Sequence, residues 1–146
     1  MRERPGRNMH VINMASLSAL TPVPGLAVYA ATKHAVLGFT GSLQGDLDAA
    51  GLPINVHAVC PDGADTDMTR ERSADADSAI IWSAPRLLSA DEVAGAVVGL
   101  LDSRQLVLAI PRWRGWAARG TAAAGRLALR SAGPLRRQGE RRRARR

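Results

Sequence analysis

"AVYAATKHAVLGFTGSLQGDLDAAGLPINVHAVC", residues 27–60, decides the fold. From 27 to 50 there is no proline, and Val28, Ala31, Ala35, Phe39, Leu43 and Leu47 recur near helical spacing. Gly51, with Pro53 beyond it, closes that helix. "INVHAVC", 54–60, follows at once: Ile54, Val56, Ala58 and Cys60 fall on one face and Val59 on the other. A strand apolar on both faces belongs in the middle of a sheet covered on both sides.

The flanks repeat this unit. Upstream, "HVINMAS" (10–16) opens as a short apolar strand, and "LSALTPVPGL" (17–26), with two prolines and a glycine, is a loop. Downstream, "PDGADTDM" is a polar turn, and 70–88 is irregular with room for short helical pieces. Ser89, three residues before Glu92, forms a capping box ahead of "VAGAVVGLL", a helix ending near Ser103. "QLVLAI" (105–110) is a third strand, stopped by Pro111. Strand, helix, strand, helix, strand predicts right-handed crossovers onto a parallel sheet, with ligands at the carboxyl ends of the strands.

Composition narrows the classes. Of 146 residues 46% are hydrophobic but only 3% aromatic, so Val, Leu, Ile and Ala must build the core. One cysteine, Cys60, excludes an internal disulfide and a Cys-rich zinc site. It reads as core, with nothing electropositive beside it in the sequence. His10, His34 and His57 lack metal-ligand spacing, and Asp65 and Asp67 read as a solvated turn. No apolar run approaches a membrane span, and no apolar signal core follows the basic start; the expected location is the cytoplasm. The net charge of +7 is unevenly spread. Residues 1–110 hold 8 Arg or Lys against 12 Asp or Glu, net −4; residues 111–146 hold 12 Arg against one Glu, net +11. The body is mildly acidic and the tail strongly basic.

Within the long helix, Tyr29 and Lys33 are each the only residue of their kind. Four apart, they share one helical face. A tyrosine hydroxyl titrates ordinarily near about 10, and a neighbouring ammonium favours its phenolate. Such a hydroxyl passes protons to and from a substrate oxygen. Ser16, just past the first strand, returns to the helix start through the Pro-rich loop and brings a second hydroxyl to the same oxygen.

"VINMAS" followed by "YAATK" resembles the carboxyl-terminal half of a short-chain dehydrogenase/reductase, over residues about 9–110. That family carries a strand ending in Asn and a catalytic Ser, then Tyr-x-x-x-Lys. Its next strand ends in a Pro-Gly-x-x-x-Thr loop; here "CPDGADTDM" keeps Pro61 and Thr66 but sets Asp62 before Gly63. The resemblance implies an α/β fold, a partial Rossmann-like doubly wound parallel sheet of three strands and two main helices. Residues 1–111 would form this part and 112–146 an Arg-rich tail. It implies catalytic Ser16, Tyr29 and Lys33. Tyr29, Lys33, Pro61, Gly63 and Thr66 would hold NAD or NADP. The reaction would be hydride transfer on a small alcohol or carbonyl substrate. No spacing among the 14 glycines gives the family's phosphate loop, and the residue that selects between the two cofactors would lie upstream. The chain therefore reads as a truncated product, inactive alone. Its alternative is a non-catalytic relic whose tail binds membranes or polyanions.

Gly38, Gly41 and Gly45 lie near one another along the helix and are read in two ways: they only weaken it, or they permit a second helix to approach, as in the family's dimers, which makes the 27–50 helix the expected surface for a homo-oligomer. The tail is read either as a solvated, disordered extension or as a basic surface helix. In the latter, Trp113, Trp116, Ala117, Ala124 and Leu127 share a face suited to anionic lipid, a membrane-peripheral placement. A third reading is nucleic-acid contact through "RRQGERRRARR", which lacks aromatics to stack on bases, so such contact would be non-specific and no specific nucleic acid is expected.

Overall fold

The computed structural model describes residues 9–72 and 75–145. Strands β1 (Met9–Met14), β2 (Ile54–Pro61) and β3 (Val107–Ile110) form one sheet in the order β1-β2-β3, all parallel. Val11 is opposite Val56, and Cys60 is opposite Ala109. Helix α1 (Ala27–Ala49) makes the first crossover. The second runs through α2 (Asp67–Glu71), a 3₁₀ stretch (Ala76–Ser83), α3 (Ala90–Val98) and a 3₁₀ turn (Gly99–Asp102). The fold is α/β, with the parallel sheet expected of a Rossmann-like domain. The tail is helical: α4 (Arg112–Ala123) and α5 (Arg126–Arg143).

β2 is central, and Val56, His57, Ala58, Val59 and Cys60 are all buried, as its two-sided apolar pattern requires. β3 is shorter than 105–110 because Gln105 is bent out of it. Its N–H takes Ser103 Oγ at 3.0 Å and its own side-chain amide turns back to Val107 O at 2.8 Å. β2 thus begins before β3 does, and two of its backbone groups face no strand. Gln44 of α1 fills the gap: Oε1 accepts Val56 N–H at 2.6 Å and Nε2 donates to Ile54 O at 3.2 Å.

α1 ends as predicted. Gly51 adopts φ +65°, Gly51 N–H reaches Asp48 O and Leu52 N–H reaches Leu47 O, a Schellman closure. The Ser89–Glu92 capping box is also present, with both reciprocal bonds made. The orientation of α1 is less simple. Its buried side holds Ala30 and Thr40, and Val36 and Leu37 pack on the core. The recurring Val28, Ala31, Ala35 and Phe39 lie on the exposed side. The helix is apolar on two sides, so periodicity alone could not choose between them.

The main core cluster contains Ala15, Leu17, Ala19, Leu20 and Cys60, and Ala118 of α4 completes it. α4 lies so close to β3 that a Cβ on Gly115 would overlap Ala109 Cβ. α5 lies equally close to the 3₁₀ stretch, where a Cβ on Gly139 would overlap the Ala79 carbonyl. The single amphipathic face expected of the tail is not continuous. Gly125, at φ +55°, turns the chain between α4 and α5 and separates Trp113 and Trp116 from the residues beyond; the Leu127 side chain lies outside the described set.

Candidate active site

β1 ends at Met14, and its last carbonyl meets the first turns of α1. Lys33 Nζ donates to Met14 O at 3.0 Å and stands 5.6 Å from the centroid of the Tyr29 ring. Ser16 sits two residues past the strand. Its Oγ accepts the Ser18 N–H at 3.2 Å, capping the 3₁₀ turn Leu17–Ala19. Asn13, the strand's polar residue, donates to the buried Thr40 Oγ1 at 3.0 Å, which in turn donates to Val36 O. That pair joins β1 to α1 and fixes the helix carrying Tyr29 and Lys33. Sequence reasoning missed Thr40, because a threonine inside a helix gives no local signal.

Ser16, Tyr29 and Lys33 line a cavity of about 950 Å³ at the carboxyl ends of the strands, together with Pro61, Gly63 and Thr66. All six predicted residues therefore share one cavity. Among the described residues the Ser16 and Tyr29 hydroxyls are not bonded to each other, and Tyr29 Oη has no hydrogen-bond partner. Thr66 caps α2, its Oγ1 accepting the Thr69 N–H at 3.4 Å. Gly63 is required by the chain's own packing. A Cβ there would come within 2.6 Å of Ile81 Cγ2 and 2.7 Å of the Ile81 carbonyl.

Asp62, the departure noted in the turn, has a partner that no local pattern announced. Arg114 of α4 places Nε 2.7 Å from Asp62 Oδ2, with the side chains only 18% and 9% exposed. Oδ2 is buried and lacks an aligned hydrogen bond, so this is an ion pair held by charge. Burial pushes the Asp62 carboxyl up; Arg114 and the Gly63 N–H pull it back in part. Arg114 Nη2 also donates to Ser83 Oγ at 3.0 Å, so one guanidinium ties α4 to the β2 turn and to the 3₁₀ stretch.

Cys60 is fully buried, and burial pushes its thiol up to about 11 against the smaller opposing effects of the Ser16 backbone, Arg119 and Lys33. Two cations thus lie near it that sequence order did not show, yet the thiol remains protonated and unreactive. The histidines are not all scattered. His10 Nδ1 and His57 Nε2 are 2.9 Å apart in stacked rings, and His57 Nδ1 bonds Gln105 O at 2.7 Å. A carbonyl only accepts, so His57 carries its proton on Nδ1. Among the described residues no group of three metal-ligating side chains occurs. Asp65 and Asp67 are exposed and paired with Arg70.

Set beside known proteins, residues 2–77 match the short chain dehydrogenase family. The chain belongs to that family. It is 42% identical over 98 residues to 1-deoxy-11-beta-hydroxypentalenate dehydrogenase of Streptomyces avermitilis, covering 67% of this chain and 34% of that protein. It is 37% identical over 102 residues to the 3-oxoacyl-[acyl-carrier-protein] reductase FabG of Escherichia coli, covering 68% and 40%. A short-chain dehydrogenase from Sphingobium yanoikuyae, solved in complex with NADPH, superposes with a TM-score of 0.58 at 27% identity. The match covers 80% of this chain and 45% of that one. The chain thus spans between about a third and a half of the length of these relatives.

The family implies a nicotinamide cofactor, and the groups on this wall suit one end of it. An unpartnered phenol, an ammonium with one donor committed to Met14 O, and the Thr66 hydroxyl can bind a ribose diol and an amide. The 146 residues contain no Gly-rich turn for the phosphates.

Proposed function

We propose that this chain provides the proton-handling site of an NAD(P)-dependent oxidoreductase acting on a small alcohol/carbonyl pair. The observation that carries the reading is the unengaged Tyr29 hydroxyl in one cavity with Ser16 and Lys33. When bound, the nicotinamide supplies hydride chemistry. The residues do the rest. Ser16 Oγ uses its lone pairs on Ser18 N–H and keeps its own hydrogen for a substrate oxygen. Tyr29 Oη gives its proton to that oxygen in reduction and takes it back in oxidation. Lys33, held by Met14 O, keeps a positive charge beside the ring as negative charge develops on the phenol oxygen. Lys33 and Thr66, with Pro61 and Gly63 shaping the turn, would hold the nicotinamide end of the cofactor.

Because the phosphate loop is not within these residues, the chain alone is expected to turn over negligibly. Fused behind the amino-terminal half of the E. coli relative, it is expected to reduce carbonyl compounds with NADH or NADPH. Tyr29→Phe in that fusion should lower kcat about 10²–10⁴-fold, the usual worth of a positioned acid or base. A fusion that folds and turns over equally well with and without the Tyr29→Phe substitution would refute the assignment.

The exposed side of α1 supports a self-association reading. Val28 and Phe39 are largely exposed, and nothing lies within 4 Å of a Cβ built on Gly38, Gly41 or Gly45. A peripheral association of the tail with anionic surfaces is supported by the exposed Trp116 and the basic last turn of α5. No described helix is long and apolar enough to cross a membrane.

A further inference from the structure

The charges lining the cavity do not balance. Lys33, Arg72, Arg114 and Arg142 line it, against Asp62 and Asp75. Asp62 is matched by Arg114, and Lys33 is held at Met14 O beside Tyr29. Arg142 is half-buried and uses one Nη1 hydrogen on Ser83 O at 2.5 Å. The Arg72 side chain has no hydrogen bond or ion pair among the described residues, and Asp75 pairs with neither arginine. Two guanidiniums, from the end of α2 and from α5, therefore present unused donors to the cavity. The rest of the lining is largely apolar, with Leu26, Met68, Ile81, Trp113 and Leu135. At about 950 Å³ the space suits a small molecule of substantial bulk.

We infer that the substrate of this site is a bulky apolar alcohol or ketone bearing a carboxylate, held by Arg72 and Arg142. A neutral apolar compound of that size would strip water from the half-buried Arg142 and return nothing to it, while the exposed Arg72 would keep its own hydration. A carboxylate supplies planar, bidentate acceptors of the kind a guanidinium matches. The apolar walls take the body of the molecule, and its hydroxyl or carbonyl goes to Ser16 and Tyr29. The inference rests on the oxidoreductase reading for the role of the bound molecule, and its test is made by binding alone.

Titrate the 146-residue chain calorimetrically, without cofactor, with 3-hydroxyadamantane-1-carboxylate and with its methyl ester. The acid is expected to bind about tenfold or more tightly than the ester, as charge-assisted hydrogen bonds require. Arg72→Gln and Arg142→Gln should each reduce acid affinity by about fivefold or more and leave the ester unchanged. Arg142→Lys, which keeps a donor for Ser83 O, should retain most of it. Arg130→Gln, on an exposed arginine outside the cavity lining, should change nothing. Equal binding of acid and ester overturns the inference, as does an equal loss with Arg130→Gln or no binding of either compound. Pyrophosphate binding more tightly than the acid, through the same two arginines, overturns it in favour of cofactor phosphates. Tyr29→Phe should weaken acid and ester alike and leave the preference for the acid intact, so that preference can stand if the proton-transfer role of Tyr29 fails, and the reverse.

Discussion

Asp62 shows how one residue, standing directly after Pro61, changes a site. Placed after Pro61 at the end of the central strand, it is buried, and burial raises its carboxyl above the ordinary range more than Arg114 lowers it. The folded chain therefore holds this proton more tightly than the unfolded chain does. Its contribution is most favourable below the ordinary carboxyl range and is lost as pH rises through the raised folded value. Asp62→Asn has no such proton to lose. In urea titrations between about pH 3.5 and 7 the stability of the wild type relative to Asp62→Asn should fall as pH rises. A relative gain with rising pH would show that the Arg114 charge outweighs the burial. Such a balance is common for buried pairs, where desolvation and attraction nearly cancel.

At the scale of elements, α4 owes its position to a small residue. Gly115 and Gly120 lie in the same helix, but only Gly115 meets β3, where Ala109 occupies the space a side chain would need. Nothing lies within 4 Å of a Cβ at Gly120. Gly120→Ala should stabilise the chain by about 0.5–1 kcal/mol through helix entropy. Gly115→Ala should destabilise it by about 1–3 kcal/mol because α4 must move off the sheet. Thermal melts of the two variants should shift in opposite directions; a gain for both would show that α4 is not seated on β3. The same docking carries Arg114 to Asp62, so the Gly115 variant should also weaken binding in the cavity.

At the scale of the molecule, two surfaces remain to be assigned. The open side of α1 is proposed to meet a second copy, and Phe39→Glu, at a side chain 58% exposed, tests it. Sedimentation should show self-association in the wild type and a monomer in the variant; two identical profiles would exclude this helix. The basic tail is proposed to bind anionic surfaces. Because Ala118 of α4 belongs to the core, deleting the tail would damage the fold, and charge is the better variable. Replacing the exposed Arg130, Arg137 and Arg141 by Gln should abolish salt-sensitive binding to phosphatidylserine vesicles. Each such residue near a membrane is worth about 1 kcal/mol. Unchanged binding would refute the proposal.

The parts of this protein that depend on neighbours in the chain could be read from its sequence. The three strands, the long helix with its Gly51 closure and the Ser89–Glu92 cap follow from apolar spacing, φ preference and side chains that reach a backbone three residues away. So does the pairing of Tyr29 with Lys33, since one helical turn puts them on one face. The parts that depend on register and packing could not be read. His10 meets His57 across 47 residues because parallel pairing sets His10 beside Asn55 and brings the two rings onto one face. Asp62 meets Arg114 only because Gly115 lets α4 lie on β3. The choice of which apolar side of α1 faces inward, and the placing of α5 against the 3₁₀ stretch rather than along one continuous tail helix, were likewise decided by tertiary packing. Local periodicity carries no information about distant partners, and packing selects among faces that the sequence makes equally apolar.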